Sequence, residues 1–299
     1  MKRYITIFFL FIVLFSYSQI ARYNHFPTMK PLHILDDKLD NISFAFSMRV
    51  LESDYNGPII RLRRAGDNAE QDFGWNDNDV VDIAAINAWR GANNVFVHTW
   101  YDQSGLGRNA VQVTRNRQPR FIPTINNPHF QGDGNNDHLL INTPNGIQDV
   151  TNNGNQGTVI GVMRATRRAQ HTFGVLNSAN RWSSHVNWSD QNLYFDPGIC
   201  CNGTRSFNNN GNVGVWEIYS FIKSNTNVIA RSGGVQRFNG AHVTGRCTLN
   251  TDFTIGWANG NQPQHHATTS FTEFIMYRTN ISNIQIQEIE QNSTTFWNI

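Results

Sequence analysis

The chain has 299 residues, 39% hydrophobic and 12% aromatic but only 15% charged, with a formal net charge of +2. So small a charge balance gives no electrostatic case for a nucleic-acid partner. So few charges also leave the surface to be made polar by amides and hydroxyls, asparagine above all, which suits neutral, hydroxyl-rich ligands.

The first residues read as an export signal: Met1-Lys2-Arg3 is charged, Tyr4 to Phe15 is apolar, and Ser16-Tyr17-Ser18-Gln19 offers a cleavage site near Ser18. This predicts a signal peptide over 1–18 and a secreted or cell-surface product in an oxidising compartment. No later segment is long and apolar enough to be expected to span a bilayer. Residues 19–40, with Pro27 and Pro31, read as an N-terminal arm, and 41–299 as a single domain.

Ile42–Leu51 reads as a helix or an apolar first segment, and Asp54-Tyr-Asn-Gly-Pro58 as a turn. Ile59–Arg64 alternates as a strand, with Arg61, Arg63 and Arg64 decorating one face of a sheet, and leaves an anionic polysaccharide open as a partner. Asp79–Trp89 reads as a helix, capped by Asp79 or Asp82 and ended by Gly91. Val95–Tyr101 is dense in β-branched and aromatic residues, hence a strand, closed by the turn Asp102–Gly105.

From there the pattern is strand, Asn/Gly turn, strand: near Pro119–Ile122, His138–Ile141, Gly157–Arg164, Thr172–Asn177, Asn192–Asp196, Val215–Lys223, Asn227–Ser232, Phe253–Gly256 and Phe271–Tyr277. Asn283–Trp297 reads as a closing helix with Ile284, Ile286, Ile289 and Phe296 on its apolar side. The class this predicts is all-β, a jelly-roll β-sandwich with a few short helices (about 79–90 and 283–297).

The stretch richest in chemistry is 188–203, where Trp188, Asp190, Tyr194 and Asp196 precede the adjacent pair Cys200-Cys201 and then Asn202. An aromatic face covers the apolar side of a sugar ring, while carboxylates and amides take its hydroxyls. Of the three cysteines, either Cys200 and Cys201 bond to each other and Cys247 is a buried thiol, or Cys247 takes one of them. The ligand-binding set is therefore Trp188, Asp190, Tyr194, Asp196, Cys200, Cys201 and Asn202.

The remaining candidates for chemistry are thinner. Asp102 reads as a turn residue bonding nearby amides, and Glu217 as a solvent- or groove-facing strand residue opposite Trp216 and Ile218; both are weak catalytic candidates. Glu273 reads as a surface strand residue. Asp133-Gly-Asn-Asn-Asp137 has the look of a calcium loop but lacks the terminal glutamate of an EF-hand, so a turn is expected. The histidines, His265-His266 included, lack zinc spacing and read as scattered surface residues; neither metal nor cofactor is expected.

Two blocks carry a resemblance. Ala45–Arg64 with Asp67-Asn68, Gln71–Gly74 and Thr99-Trp-Tyr-Asp-Gln-Ser-Gly105 resembles the amino-terminal part of the arabinofuranosidase-B catalytic domain, a concanavalin-like sandwich that removes arabinofuranosyl units. Trp188-Ser-Asp through Cys200-Cys201-Asn-Gly203, then Trp216, resembles laminin-G-like and concanavalin-like lectin domains. The resemblance implies a bond between Cys200 and Cys201 in a sugar pocket. It also implies a catalytic glutamate and aspartate, yet the corresponding regions read Ser232–Gly240, without glutamate, and Ile255–Gly260, with Ala258 at the aspartate position. Retaining hydrolysis needs two carboxyl groups about 5 Å apart.

The expected function is thus an exported protein recognising plant or algal polysaccharide. The alternative is an arabinofuranosidase-like hydrolase with non-standard carboxylates, active in polysaccharide degradation. A non-sugar adhesion module is a lesser option. The sequence leaves the oligomeric state open.

Overall fold

The computed structural model describes residues 33–299 apart from 167–168, 178, 202, 242–244 and 261–262. The expected signal peptide, the expected arm up to residue 32 and Asn202 lie outside the described residues. The strands in chain order are β1 (Ile42–Ser47), β2 (Ile60–Arg64), β3 (Glu70–Phe73), β4 (Val95–Trp100), β5 (Ala110–Val111), β6 (Arg120–Ile122), β7 (His129–Gln131), β8 (Leu139–Ile141) and β9 (Gly157–Arg164). They continue with β10 (Phe173–Leu176), β11 (Asn180–His185), β12 (Asn192–Ile199), β13 (Ser206–Asn208), β14 (Glu217–Lys223), β15 (Asn227–Ser232), β16 (Val235–Ala241), β17 (Phe253–Ile255), β18 (Asn259–Gly260) and β19 (Ser270–Tyr277). The α-helices are α1 (Ile83–Arg90), α2 (Ile147–Val150) and α3 (Asn283–Trp297). With 38% strand and 14% helix, the fold is all-β with a few short helices, as the sequence predicts.

Strands β1, β19, β9, β14, β15 and β16 pair in that spatial order, each neighbour antiparallel. A second antiparallel ladder runs β3, β2, β4, β5, β8, β17, β10, β11, β12, β13. β6 and β7 bridge β4 of the second ladder to β19 of the first, which curves the whole into one sheet. Aromatic rings from the two ladders interdigitate: Phe46 of β1 with Trp100 of β4 at 5.3 Å, Phe44 with Phe253 of β17 at 5.7 Å, and Phe221 of β14 with both Phe173 and Phe195 at 5.3 Å. Burying such side chains is worth about 1.5–3 kcal/mol each. This aromatic layer holds the ladders together.

Several expectations are corrected. Of the two readings of Ile42–Leu51, the apolar first segment stands and the helix does not: Ile42–Ser47 is wholly buried and pairs with β19, and a strand buried on both faces loses the alternation that marks it in sequence. The helix expected from Asp79 begins at Ile83, because the Asp82 carboxylate accepts the Ala85 N–H at 2.9 Å, and it ends at Gly91 with φ 54°. On α3, Ile286 and Ile289 are buried, but Ile284 is 68% and Phe296 39% exposed; Glu290, Ser293 and Trp297 complete the inner face instead.

By the two-residue period of β2, Arg61 and Arg63 share one face and Arg64 falls on the other, and Arg63 is buried while Arg61 and Arg64 are partly exposed. The histidines are not scattered over the surface: His129, His138, His171, His185 and His266 are buried. Nor is Glu273 a surface residue, being 1% exposed. Asp133–Asp137 is a turn, its Asp133 Oδ1 accepting the N–H groups of Asn135, Asn136 and Asp137, and no metal-ligating group of His, Cys, Asp and Glu occurs among the described residues.

Candidate functional site

The antiparallel pairing of β11 with β12 sets Arg181 opposite Gly198, Ser183 opposite Asp196 and His185 opposite Tyr194. With a side-chain period of two, these residues share one face of the hairpin, while Trp182, Leu193 and Phe195 turn to the core and are fully buried. The loop 186–191 carries Trp188, Ser189 and Asp190 over the same face. Beyond β12, Cys200 and Cys201 close a disulfide with each other, and Cys247 is a buried free thiol. The pairing left open by residue counting is thereby resolved.

These pieces surround a hollow of about 320 Å³ lined by Arg181, His185, Trp188, Ser189, Asp190, Tyr194, Cys200, Cys201 and Arg205. Trp188 is half-buried, its indole packed at a tilt against His185 at 4.6 Å and His265 at 4.9 Å, so the ring is held while part of it stays open. Tyr194 lies beneath the Arg205 guanidinium, whose Cζ is 4.5 Å from the ring centroid, and donates its hydroxyl to Asp190. Burial pushes His185 down to about 3, and its Nδ1–H donates to the Gln170 carbonyl at 3.1 Å, so the ring is neutral and its Nε2 is an acceptor.

Asp190 sits at the exposed rim. Partial burial raises its carboxyl, but hydrogen bonds from the Tyr194 hydroxyl and from Asn192 outweigh this and hold it below the usual range. Asp196, expected to touch ligand, is fully buried behind the wall. Its oxygens accept two hydrogen bonds of 2.7 Å from Arg205 Nη1, lie 3.7 Å from Arg181 Nη1, and receive the Cys201 N–H at 3.4 Å. Cys201 has φ 72°, the left-handed region that a non-glycine residue adopts at a cost, and the Asp196 bond helps hold it there. One buried carboxylate thus fixes both arginines and the disulfide corner.

Sequence reasoning assembled the aromatic, rim-carboxylate and cysteine parts of this hollow but missed Arg181, His185, Ser189 and Arg205. The signal for Arg181 and His185 lay in β11, an Asn-Arg-Trp-Ser-Ser-His strand too polar on its outer face to be recognised. The weak catalytic candidates are elsewhere. Glu217 lies on β14, burial raising its carboxyl. Asp102 accepts from the N–H groups of Ala45, Ser104 and Arg108 at 2.9–3.0 Å and from the Ser104 hydroxyl at 2.8 Å, tying a turn to β1. Asp102→Ala strands these donors, so a loss of about 1–3 kcal/mol in chemical denaturation is expected. Ligand affinity of the surviving folded fraction should stay unchanged; an affinity loss at equal stability would return Asp102 to the site.

Among the described residues only Asp190 offers a carboxylate to the hollow, so a facing pair for retaining hydrolysis is not seen there. No family model matches the chain, and no curated protein matches it. Its fold resembles that of solved arabinofuranosidases. One, a GH54 α-L-arabinofuranosidase soaked with a cyclic sulfate inhibitor, matches at TM-score 0.63 and 13% identity over 85% of this chain and 63% of that one. Another, an arabinofuranosidase complexed with arabinofuranosyl-alpha-1,2-xylobiose, matches at TM-score 0.64 and 14% identity over 85% of this chain and 62% of that one. The chain therefore spans less than two thirds of the length of either, and at such identities the match defines a shared class of fold.

Proposed function

We propose that the protein is an exported carbohydrate-recognising protein that binds polysaccharide in the hollow beside Cys200–Cys201. The observation that carries this reading is the convergence, in one sugar-sized hollow, of two partly open aromatic rings, an apolar disulfide and a ring of hydrogen-bonding groups from Arg181, His185, Ser189, Asp190 and Arg205. A sugar ring stacks on Trp188 or Tyr194 while its hydroxyls meet the guanidinium donors and the Asp190 and His185 acceptors. The arabinofuranosidase-like fold favours a second reading, an arabinofuranoside hydrolase, with Asp190 as one carboxyl group and a partner outside this wall.

Affinity electrophoresis on a panel including arabinan and arabinoxylan, run beside an aryl arabinofuranoside assay, separates the two. Retarded migration without released sugar supports binding alone, and released sugar supports the hydrolase. Trp188→Ala should weaken retention about tenfold, since an aromatic contact of about 1.5 kcal/mol corresponds to that factor. Retention equal to wild type would remove the hollow from the reading.

A further inference from the structure

The three arginines of β2 meet different fates. Arg61 and Arg64 are paired with Asp72 at 2.8 Å and Asp67 at 2.6 Å. Arg63 is 6% exposed, and its guanidinium donates to Gln118 Oε1 at 2.5 Å, Asn68 Oδ1 at 3.0 Å and the Arg115 carbonyl at 3.3 Å. All three acceptors are neutral, and among the described residues no carboxylate forms an ion pair with it. A cation withdrawn from water without a counter-ion is costly. Burial and then the nearby Arg115 charge pull its pKa below the usual arginine value, and the Glu70 carboxylate, its cross-strand neighbour on β3, offsets this only in part.

Arg63 lines a cleft of about 420 Å³, and two further guanidinium groups line the same cleft, Arg115 from the turn before β6 and Arg120 from β6 itself. Arg120 donates to another neutral acceptor, Asn94 Oδ1, at 2.8 Å. Three guanidinium groups thus line one cleft, and among the described residues none of them has a carboxylate within ion-pair distance. The Phe96 ring, 4.8 Å from Arg63 Cζ and half-buried, gives the cleft an apolar wall. Asp133 and Asp137 also line it, outside ion-pair distance of the arginines. Burial and then the Asp133 charge push Asp137 up to about 7, so near neutrality it can donate as well as accept.

We propose that this cleft is a second glycan site, which takes an acidic sugar by its carboxylate or sulfate oxygens on Arg63, Arg115 and Arg120 and by its ring on Phe96. The oxyanion supplies a direct ion-pair partner, in the bidentate geometry that guanidinium groups favour. Asp133 and Asp137 meet the hydroxyls of the same ring. The site goes beyond the first hollow and stands without it.

The test uses the whole protein, with polygalacturonate as the carboxylate probe, a sulfated galactan as the sulfate probe and neutral arabinan as comparator. Wild type is expected to be retarded by at least one acidic polymer, less so at raised salt; which polymer it is assigns the oxyanion. Arg115→Gln with Arg120→Gln, both at exposed positions, should weaken that retention tenfold or more at an unchanged thermal midpoint, and leave any arabinan binding as it was. Absence of binding to both acidic polymers overturns the proposal, as does wild-type affinity in the double variant. So does loss of acidic-polymer binding in Trp188→Ala but not in the arginine pair, which places the acid in the first hollow. Failure of the first hollow alone shows separately, as arabinan retention indifferent to Trp188→Ala.

Discussion

Glu273→Ala is expected to cost about 3–5 kcal/mol of stability, the range for removing one partner of a buried ion pair. The side chain is 1% exposed on β19. Its Oε2 accepts from Arg49 Nε at 2.8 Å, the Ser47 hydroxyl at 2.9 Å and Trp297 Nε1 at 3.2 Å, and its Oε1 from Arg49 Nη2 at 3.2 Å and the Ser293 hydroxyl at 2.5 Å. One carboxylate therefore joins β1, β19 and α3, and its loss leaves Arg49, 4% exposed, as an unpaired buried cation. Glu273→Gln should cost less, and Glu273→Ala with Arg49→Met should recover part of the loss, because no charge is then stranded.

The pH dependence of Glu273 follows from its environment. Burial alone would push the carboxyl up, but the Arg49 guanidinium and the hydrogen bonds of Ser293 and Ser47 outweigh it and hold the group below the usual range. A carboxyl depressed in the folded state contributes its full stability above the ordinary glutamate range and loses it as pH falls through the folded value. The acid limb of the stability curve should thus be flatter in Glu273→Gln than in wild type. Denaturant titrations from pH 7 down to acid measure both effects. A loss below about 1 kcal/mol for the alanine variant, or an acid limb unaltered in the glutamine variant, would sink this account.

How much of this could be read in advance depended on whether a residue's partner was local. β9, β15 and α3 match the predicted boundaries because β-branched and aromatic density, or the Ser282–Gln285 capping box, is written within the segment itself. β3, β5, β7, β11, β13, β16 and β18 were missed: β16, with the pattern Val-Gln-Arg-Phe-Asn-Gly-Ala, buries only Phe238 and exists through its pairing with β15. Glu273 was misplaced for a related reason, since its partners Ser47 and Ser293 lie 226 and 20 residues away and no local pattern announces them. At the hollow, Trp188, Tyr194 and the cysteines were legible because aromatic and thiol groups carry meaning as residue types. Arg181 and Arg205 were not, because an arginine in sequence looks alike whether it is solvated, paired or aimed at a ligand.

Asp196→Ala is the variant in which site and stability should fail together. The hydrogen-bonded pair with Arg205 is buried at the carboxylate end, where Asp196 is fully inaccessible, so its removal is expected to cost about 3–5 kcal/mol. The functional effect should exceed what unfolding explains. Without the carboxylate, Arg205 loses the anchor that sets it over Tyr194, Arg181 loses the anion 3.7 Å from its Nη1, and the Cys201 N–H loses its acceptor at a left-handed residue. Ligand retention at a temperature where the variant is still folded should therefore drop about a hundredfold, equivalent to about 2.7 kcal/mol. Asp196→Asn separates the two roles: the amide keeps one acceptor for the Cys201 N–H but no charge for the guanidinium groups, so stability should recover more than affinity does. If Asp196→Ala binds glycan like wild type when folded, the arginine wall is not what holds the ligand. If it unfolds no more easily than wild type, the buried carboxylate is not the post on which the hollow is built.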